Sequence, residues 1–382
     1  MWAGTARPTP GYTTLAARDV ARSEPFPRMS RIPLLAVLLT GIVLSACNPL
    51  YVMRAGYEQA RIMSATVPIG EVLADPETPP DTRHKLVLVL EARDFAEREM
   101  GLNVGDSYTT FAQLRSDTLV HVVSAAQPDR FEAHTWWFPI VGSVPYKGFF
   151  SESAARREVR RLDERGLDTH MRPAGAFSTL GWFNDPLYST LLRHGDVPLV
   201  NTVIHELLHN TVWIPGDAAF NESFANFVGA RGAIDFFCRG DRPDECRQAR
   251  DLWQDDLRFG AFLGAMVAEL DELYESDLSM GEILVRREEV FERARKIFTE
   301  EVQPGFRVAT FAAFERAPLN NATLLSRRLY YHRLDLFEQA YRTTGLGLPA
   351  LVRRIEEDID RSGDDPWTVV ERLAGGMGAS TG

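Results

Sequence analysis

The spacing of apolar residues changes three times along the chain. Over 56–65 and again over 81–100 hydrophobic positions recur every three or four residues, with Thr78-Pro79-Pro80 as a start signal for the second run, so both are expected to be helices. The period then shortens. Residues 118–124, 132–138 and 141–149 are short β-branched and aromatic stretches separated by Gly and Pro, which predicts antiparallel strands. A helix is expected over 152–165, and strand character returns over 169–179. From Asp196 onward the pattern is helical almost to the end, with helices expected over 196–212, 218–237, 244–274, 280–301, 321–343, 348–360 and 367–374. Gly345-Leu346-Gly347 and Ser362-Gly363-Asp364 punctuate the last of these. The fold class expected is α+β, mainly helical with a small mixed or antiparallel sheet, and the 243–301 pair reads as a helical hairpin packed on the rest.

The first 46 residues belong to a different regime. Residues 1–28 carry no pattern and read as an extension before the true start at Met29. Ser30-Arg31 is a short basic region, 32–44 is an apolar run, and Leu44-Ser45-Ala46-Cys47 follows. That order is the order of a secretory signal, and the apolar run is too short for a comfortable membrane span. With cysteine directly after Leu-Ser-Ala, the segment resembles a bacterial lipoprotein signal peptide, which implies a lipid on Cys47 as the first residue of the mature protein. Asn48, where an inner-membrane retention signal carries Asp, implies an outer-membrane anchor facing the periplasm. The remainder, 47–382, is expected to be a single unit. Its helical and sheet part covers about 50–195, and its second, helical part covers about 196–376.

Composition narrows the partners. With 45% hydrophobic and 25% charged residues over 382 positions, the chain can bury a substantial core. Its 42 Lys and Arg face 53 Asp and Glu, and five of the Arg against two acids lie in residues 1–46, so the part after the signal is the more acidic one, 37 against 51. No nucleic-acid partner is expected from such a surface. Arg156, Arg157, Arg160 and Arg161 form the densest basic cluster, but Glu158, Asp163 and Glu164 interleave with them at helical spacing, which describes a solvated helix face. Apart from Cys47, the cysteines are Cys238 and Cys246, separated by a polar turn; in an oxidising compartment they are expected to pair as a disulfide.

The chemistry concentrates in Val203-Ile204-His205-Glu206-Leu207-Leu208-His209. On a helix His205 and His209 share a face, so they can chelate one zinc ion, and Glu206 lies one position round, where it can reach a water beside that ion. Val200, Val203, Ile204, Leu207, Leu208 and Val212 give this helix a buried face, with Asp196 expected as its N-cap and Pro198 in its first turn. Trp213-Ile214-Pro215-Gly216-Asp217 ends it, and Asp217 is expected to cap the next. Catalytic zinc sites usually take three protein ligands, and Glu222 near the start of that second helix is the natural third.

His205-Glu206-x-x-His209 followed by Asn221-Glu222-x-x-Ala225 resembles the gluzincin pattern, in which the first glutamate is the base and the second a zinc ligand. Through Val144-Pro145-Tyr146-Lys147-Gly148, Ser178-Thr179-Leu180-Gly181-Trp182, the two zinc motifs and Asn320-Asn321-Ala322, the chain from about Cys47 onward resembles a bacterial family described as putative aminopeptidases. The resemblance implies a zincin-like fold with the sheet above the metal helix. It also implies one Zn2+, a peptide substrate, and a further oxyanion donor from a later helix, for which Tyr330 stands first and Tyr331, His332 and Tyr146 are alternatives. Asn226, one turn beyond Glu222, is expected to support the ligands from behind. His84, His121, His134, His170 and His194 are read as structural or exposed. The 174–181 stretch is the candidate edge strand for extended substrate. Only twelve residues separate His209 from Glu222, fewer than in the main gluzincin families, so the interhelical loop must be short. The strand motif that holds a free amino terminus in the main aminopeptidases is not found here. Endopeptidase or amidase action on envelope peptides therefore stands beside aminopeptidase action, and a non-catalytic envelope scaffold is the third reading.

Overall fold

The apolar stripe around residue 200 becomes the middle of the largest core. In the computed structural model, which describes residues 49–138, 142–174 and 185–376, the helix Asp196–His209 withdraws Val200, Val203, Ile204 and Leu207 entirely from water. Each aliphatic side chain buried this way contributes roughly 1.5–3 kcal/mol, which is what holds a helix bearing two imidazoles and a carboxylate inside an apolar core. Cys47, the expected signal segment over 29–46, residues 1–28 and the 175–181 part of the candidate edge strand, with Ser178-Thr179-Leu180-Gly181-Trp182, lie outside the described residues.

In chain order the elements are α1 (Pro49–Met63), β1 (Val67–Pro68), α2 (Ile69–Ala74), α3 (Pro80–Arg98), β2 (Thr110–Ala112), β3 (Val120–Ala126), β4 (Trp136–Phe138), β5 (Gly142–Val144) and β6 (Tyr146–Phe149). Next come α4 (Glu152–Asp163), β7 (Asp168–Ala174), β8 (Leu187–Tyr188), α5 (Asp196–His209), α6 (Ala218–Arg239), α7 (Pro243–Tyr274) and α8 (Met280–Ile297). The last are α9 (Ala312–Arg316), α10 (Asn321–Tyr331), α11 (Leu334–Thr344), α12 (Leu348–Ser362) and α13 (Pro366–Ala374). The fold is α+β and mainly helical. Instead of one small sheet, the described residues form a mixed sheet of order β1-β2-β8, an antiparallel sheet of order β6-β3-β7 and the hairpin β4-β5. Among the described residues no helix is long and apolar enough to cross a membrane.

The antiparallel sheet is the one that matters for the site. Its register sets Val122 between Gly148 and Arg172, and Ser124 between Tyr146 and His170. Alternation then sorts the two faces: Val123 and Ala125 pack on Ala155 and Leu162 of α4, while Val120 and Val122 pack with Tyr146, Ala174 and Tyr188. The sheet was expected above the metal helix; α4 packs on one of its faces and α10 along the other, and Tyr146 of β6 carries its hydroxyl to Glu222.

Several boundaries differ from the periodicity. The cap of α5 is Gly195, and Asp196 instead sits in the first turn, where Lys85 Nζ at 2.5 Å and His84 Nε2 at 2.7 Å from α3 take its carboxylate. The helix expected over 280–301 gives way after Ile297 to a wider turn over Phe298–Val302. The helix expected over 321–343 is broken at His332-Arg333, with Arg333 at φ 52°. The cause is tertiary: Ser223 of α6 donates to the Leu329 carbonyl at 2.8 Å and accepts from the His332 amide at 3.2 Å, and the Asn226 amide donates to the Tyr330 carbonyl at 2.8 Å. Backbone groups that would continue the helix are satisfied across the interface instead.

The helical hairpin α7–α8 has its own aromatic core around Phe259, Phe298 and Phe314. Cys238 at the end of α6 is joined to Cys246 in the first turns of α7 as a disulfide, Cα to Cα 4.8 Å.

Candidate metal centre

The short interval after His209 is possible because the turn is clamped from inside. Asn221 takes both backbone groups of Ile214, donating to its carbonyl at 2.7 Å and accepting from its amide at 2.9 Å, and Asp217 caps α6 by accepting from the Phe220 amide at 2.9 Å. The residue after Asn221 is thereby aimed at α5. Glu222 Oε2 stands 3.3 Å from His205 Nε2 and 3.8 Å from His209 Nε2. The two imidazoles are nearly perpendicular, 5.0 Å between centroids, and Trp213 packs edge to face against His209 at 5.6 Å.

The donor set fits a zinc ion. One nitrogen or oxygen ligand from each of His205, His209 and Glu222 lies within 4.8 Å of the others. An ion bound at about 2.0–2.1 Å in tetrahedral geometry asks for donors roughly 3.3 Å apart, which the Glu222–His205 pair already meets and His209 approaches. Two neutral nitrogens and one carboxylate are the donors such an ion takes in hydrolytic sites. Among the described residues this is the cluster of His, Cys, Asp and Glu with metal-holding geometry.

The electrostatics separate the two glutamates. Burial pushes Glu206 up to about 7, with Glu222 and Asp185 adding to the rise and His205 opposing it. Burial acts in the same direction on Glu222, but the two imidazoles beside it outweigh burial and hold its carboxyl well below the usual carboxylate range. One carboxylate therefore stays charged and the other sits where it can gain and lose a proton near neutrality.

The sheet and α10 close the other side. Tyr146 of β6 places its hydroxyl 3.5 Å from Glu222 Oε1. Tyr330 stacks on His205 with 6.2 Å between ring centroids, and its hydroxyl accepts from Arg172 Nη2 of β7 at 3.1 Å. Burial, then the charge of Glu222, raises the Tyr330 phenol above its ordinary value, so it keeps its hydrogen at neutral pH. Its rivals part company here. Tyr331, the next residue, points into the aromatic core against Phe259 and Phe311, and His332 packs edge to face on Trp367. Asn226 donates to the Tyr330 backbone carbonyl at 2.8 Å.

Of the other histidines, His84 bonds Asp196 and His134 packs on Trp136, while burial pushes His170 down to about 4 among arginines. Periodicity did not single out three residues that the fold brings to the site. Arg172 is one. Asp185 and Tyr108 are the others, both buried and both acting on the charge of Glu206 or acted on by it. Tyr108 also holds φ 61° in the turn after Gly105-Asp106-Ser107, a strained backbone that the sequence shows only as turn-forming residues.

Neither the curated proteins nor the solved structures compared with the chain include one that matches it. A family model matches residues 50–363, across both motifs, Tyr146, Arg172 and Tyr330, and on that match the chain belongs to the family described as Putative aminopeptidase.

Proposed function

We propose that the protein is a zinc-dependent peptide hydrolase of aminopeptidase type, anchored through a lipid on Cys47 to the outer membrane and facing the periplasm. The observation that carries the hydrolase reading is the convergence of His205, His209 and Glu222 on one point with Glu206 on the adjoining position of α5. The family match supports peptidase action, and the order basic region, apolar run and Leu44-Ser45-Ala46-Cys47 supports the anchor.

His205, His209 and Glu222 would hold the ion. When bound, zinc supplies Lewis acidity to the scissile carbonyl and lowers the pKa of a water. Glu206 takes a proton at its carboxylate as the water attacks and returns it to the departing amine. Because the Tyr330 oxygen accepts from Arg172, its own hydrogen is left to donate to the developing oxyanion. Asn226 and Ser223 keep α10 terminated at the length that leaves Tyr330 over His205.

Metal analysis of the purified protein together with peptide turnover tests this. One zinc per chain is expected, and Glu206→Gln should retain it while losing on the order of a hundredfold or more of turnover. Equal turnover in the two proteins would defeat the role of Glu206.

A further inference from the structure

Strand β7 turns its even-numbered residues, Asp168, His170 and Arg172, toward α10, while Met171 packs on the α4 side. Arg172 is thereby carried to the metal centre. Its guanidinium lies 5.6 Å over the Tyr330 ring, Nη2 is 3.1 Å from the Tyr330 hydroxyl, and that ring is stacked on the metal-side imidazole of His205. The groups acting on its charge are Tyr330, Glu222 and Tyr146, all members of the site.

Among the described residues Arg172 has no carboxylate in ion-pair contact. Arg287 and Arg231, arginines also largely withdrawn from water, each grip one: Arg287 bonds Asp168 at 2.8 Å and Arg231 bonds Glu338 at 2.9 Å. In a chain with eleven more acidic than basic side chains, Arg172 makes no ion pair with the described residues, and its hydrogen bond goes to a neutral hydroxyl. A guanidinium presents five N–H donors in a planar fork, and Tyr330 occupies one. If the position served only to hold a tyrosine, a neutral amide would do so without desolvating a charge. The fork matches a carboxylate in two parallel hydrogen bonds.

We propose that Arg172 is a substrate anchor that binds a carboxylate carried within about one residue of the bond that is cut. The inference deepens the peptidase reading and rests on it. The carboxylate has two sources, the free carboxyl terminus of a short peptide or the side chain of an acidic residue next to the cleaved bond.

The test uses two pairs of matched short peptides on the zinc-loaded mature protein, one pair differing only in a free or amidated carboxyl terminus, the other only in Glu or Gln beside the cleaved bond. The wild type should prefer the acid member of one pair at least tenfold in kcat/KM, mainly through KM, and the pair that responds identifies the source. Arg172→Gln should remove the preference, and Arg172→Lys should keep part of it. Tyr330→Phe should lower turnover of both members and leave their ratio unchanged. A ratio near one in the wild type, or an Arg172→Gln protein slowed equally on both members, would overturn the anchor and leave Arg172 a positioning residue for Tyr330. Calorimetric binding of the same peptides to Glu206→Gln, with and without zinc, reads the anchor without turnover. Acid peptides that bind at least tenfold tighter, an advantage lost in Glu206→Gln/Arg172→Gln, uphold the anchor even if no peptide is cleaved and the peptidase reading falls. Equal binding of acid and neutral members overturns it. Should Arg172→Gln fail to fold, the wild-type ratio and Arg172→Lys decide the matter.

Discussion

The candidate metal ligands lie where α5 and α6 pack together, and Gly229, two turns beyond Glu222, lies against the α5 backbone. A Cβ built there would collide with Asn201 Oδ1 and stand 2.8 Å from the Asn201 carbonyl oxygen and 3.1 Å from His205 Cβ. The Asn201 side chain can rotate away, but the backbone oxygen can yield only if the helix moves. Restoring ordinary contact at 3.4 Å from 2.8 Å asks α5 and α6 to separate by about 0.6 Å at this level. Metal sites tolerate roughly 0.2 Å in ligand distance, so Gly229→Ala should weaken zinc binding on the order of ten- to a hundredfold. Stability moves less: overpacking costs about 1–3 kcal/mol, and replacing a helical glycine returns about 1 kcal/mol of that. Gly232→Ala is the control, because its Cβ would meet only side-chain carbons, Ile204 Cδ1 and Cγ2 at 3.0 Å and Met100 Cε at 3.1 Å, and no backbone atom of α5. Competition against a chromophoric chelator, with thermal unfolding of the metal-free proteins alongside, measures both effects. Wild-type zinc affinity in Gly229→Ala, or equal losses in the two variants, would refute the claim that this contact sets the ligand spacing.

Two further outcomes are expected. Burial and the adjoining Asp255 push Asp256 on α7 up to about 7, above its unfolded value, so its contribution to stability is complete below about pH 4 and is lost as pH rises through 7. Asp256→Asn should therefore match the wild type near pH 4 and exceed it near pH 8; the full shift corresponds to a ceiling of about 4 kcal/mol, and water contact at this part-exposed side chain reduces that to about 1–2. A melting-temperature difference that stays constant between those pH values would contradict the assignment. For the anchor, Cys47→Ser should shift the protein from the membrane to the soluble fraction on cell fractionation with the folded body intact, and continued membrane association would count against lipid attachment at Cys47.

Much of this was legible in local pattern. His205 and His209 had to share a helix face because they are four apart, and Pro215-Gly216 within a twelve-residue interval had to turn the chain back so that Glu222 faced them. The pairing of Cys238 with Cys246 was expected from the polar turn between them and an oxidising compartment, and the structure joins them.

What lay beyond the sequence depends on which surfaces meet. Alternation along 169–174 marks two faces but not which of them confronts a helix 150 residues later, so the pattern was silent on Arg172 until β7 was set against α10. The apolar period runs unbroken from 321 to 343, and only hydrogen bonds from Ser223 and Asn226, about a hundred residues upstream, end the helix after Tyr331 and turn Tyr330 toward His205 while Tyr331 enters the core. Gly229 reads in sequence as a weak spot in a helix; its use, a backbone approach closer than any side chain permits, exists only where α5 and α6 cross. Local spacing supplies ligands that lie within a turn or two of each other, whereas the donors and charges that surround them come from distant segments, and only the packing of those segments decides which side chains face the site.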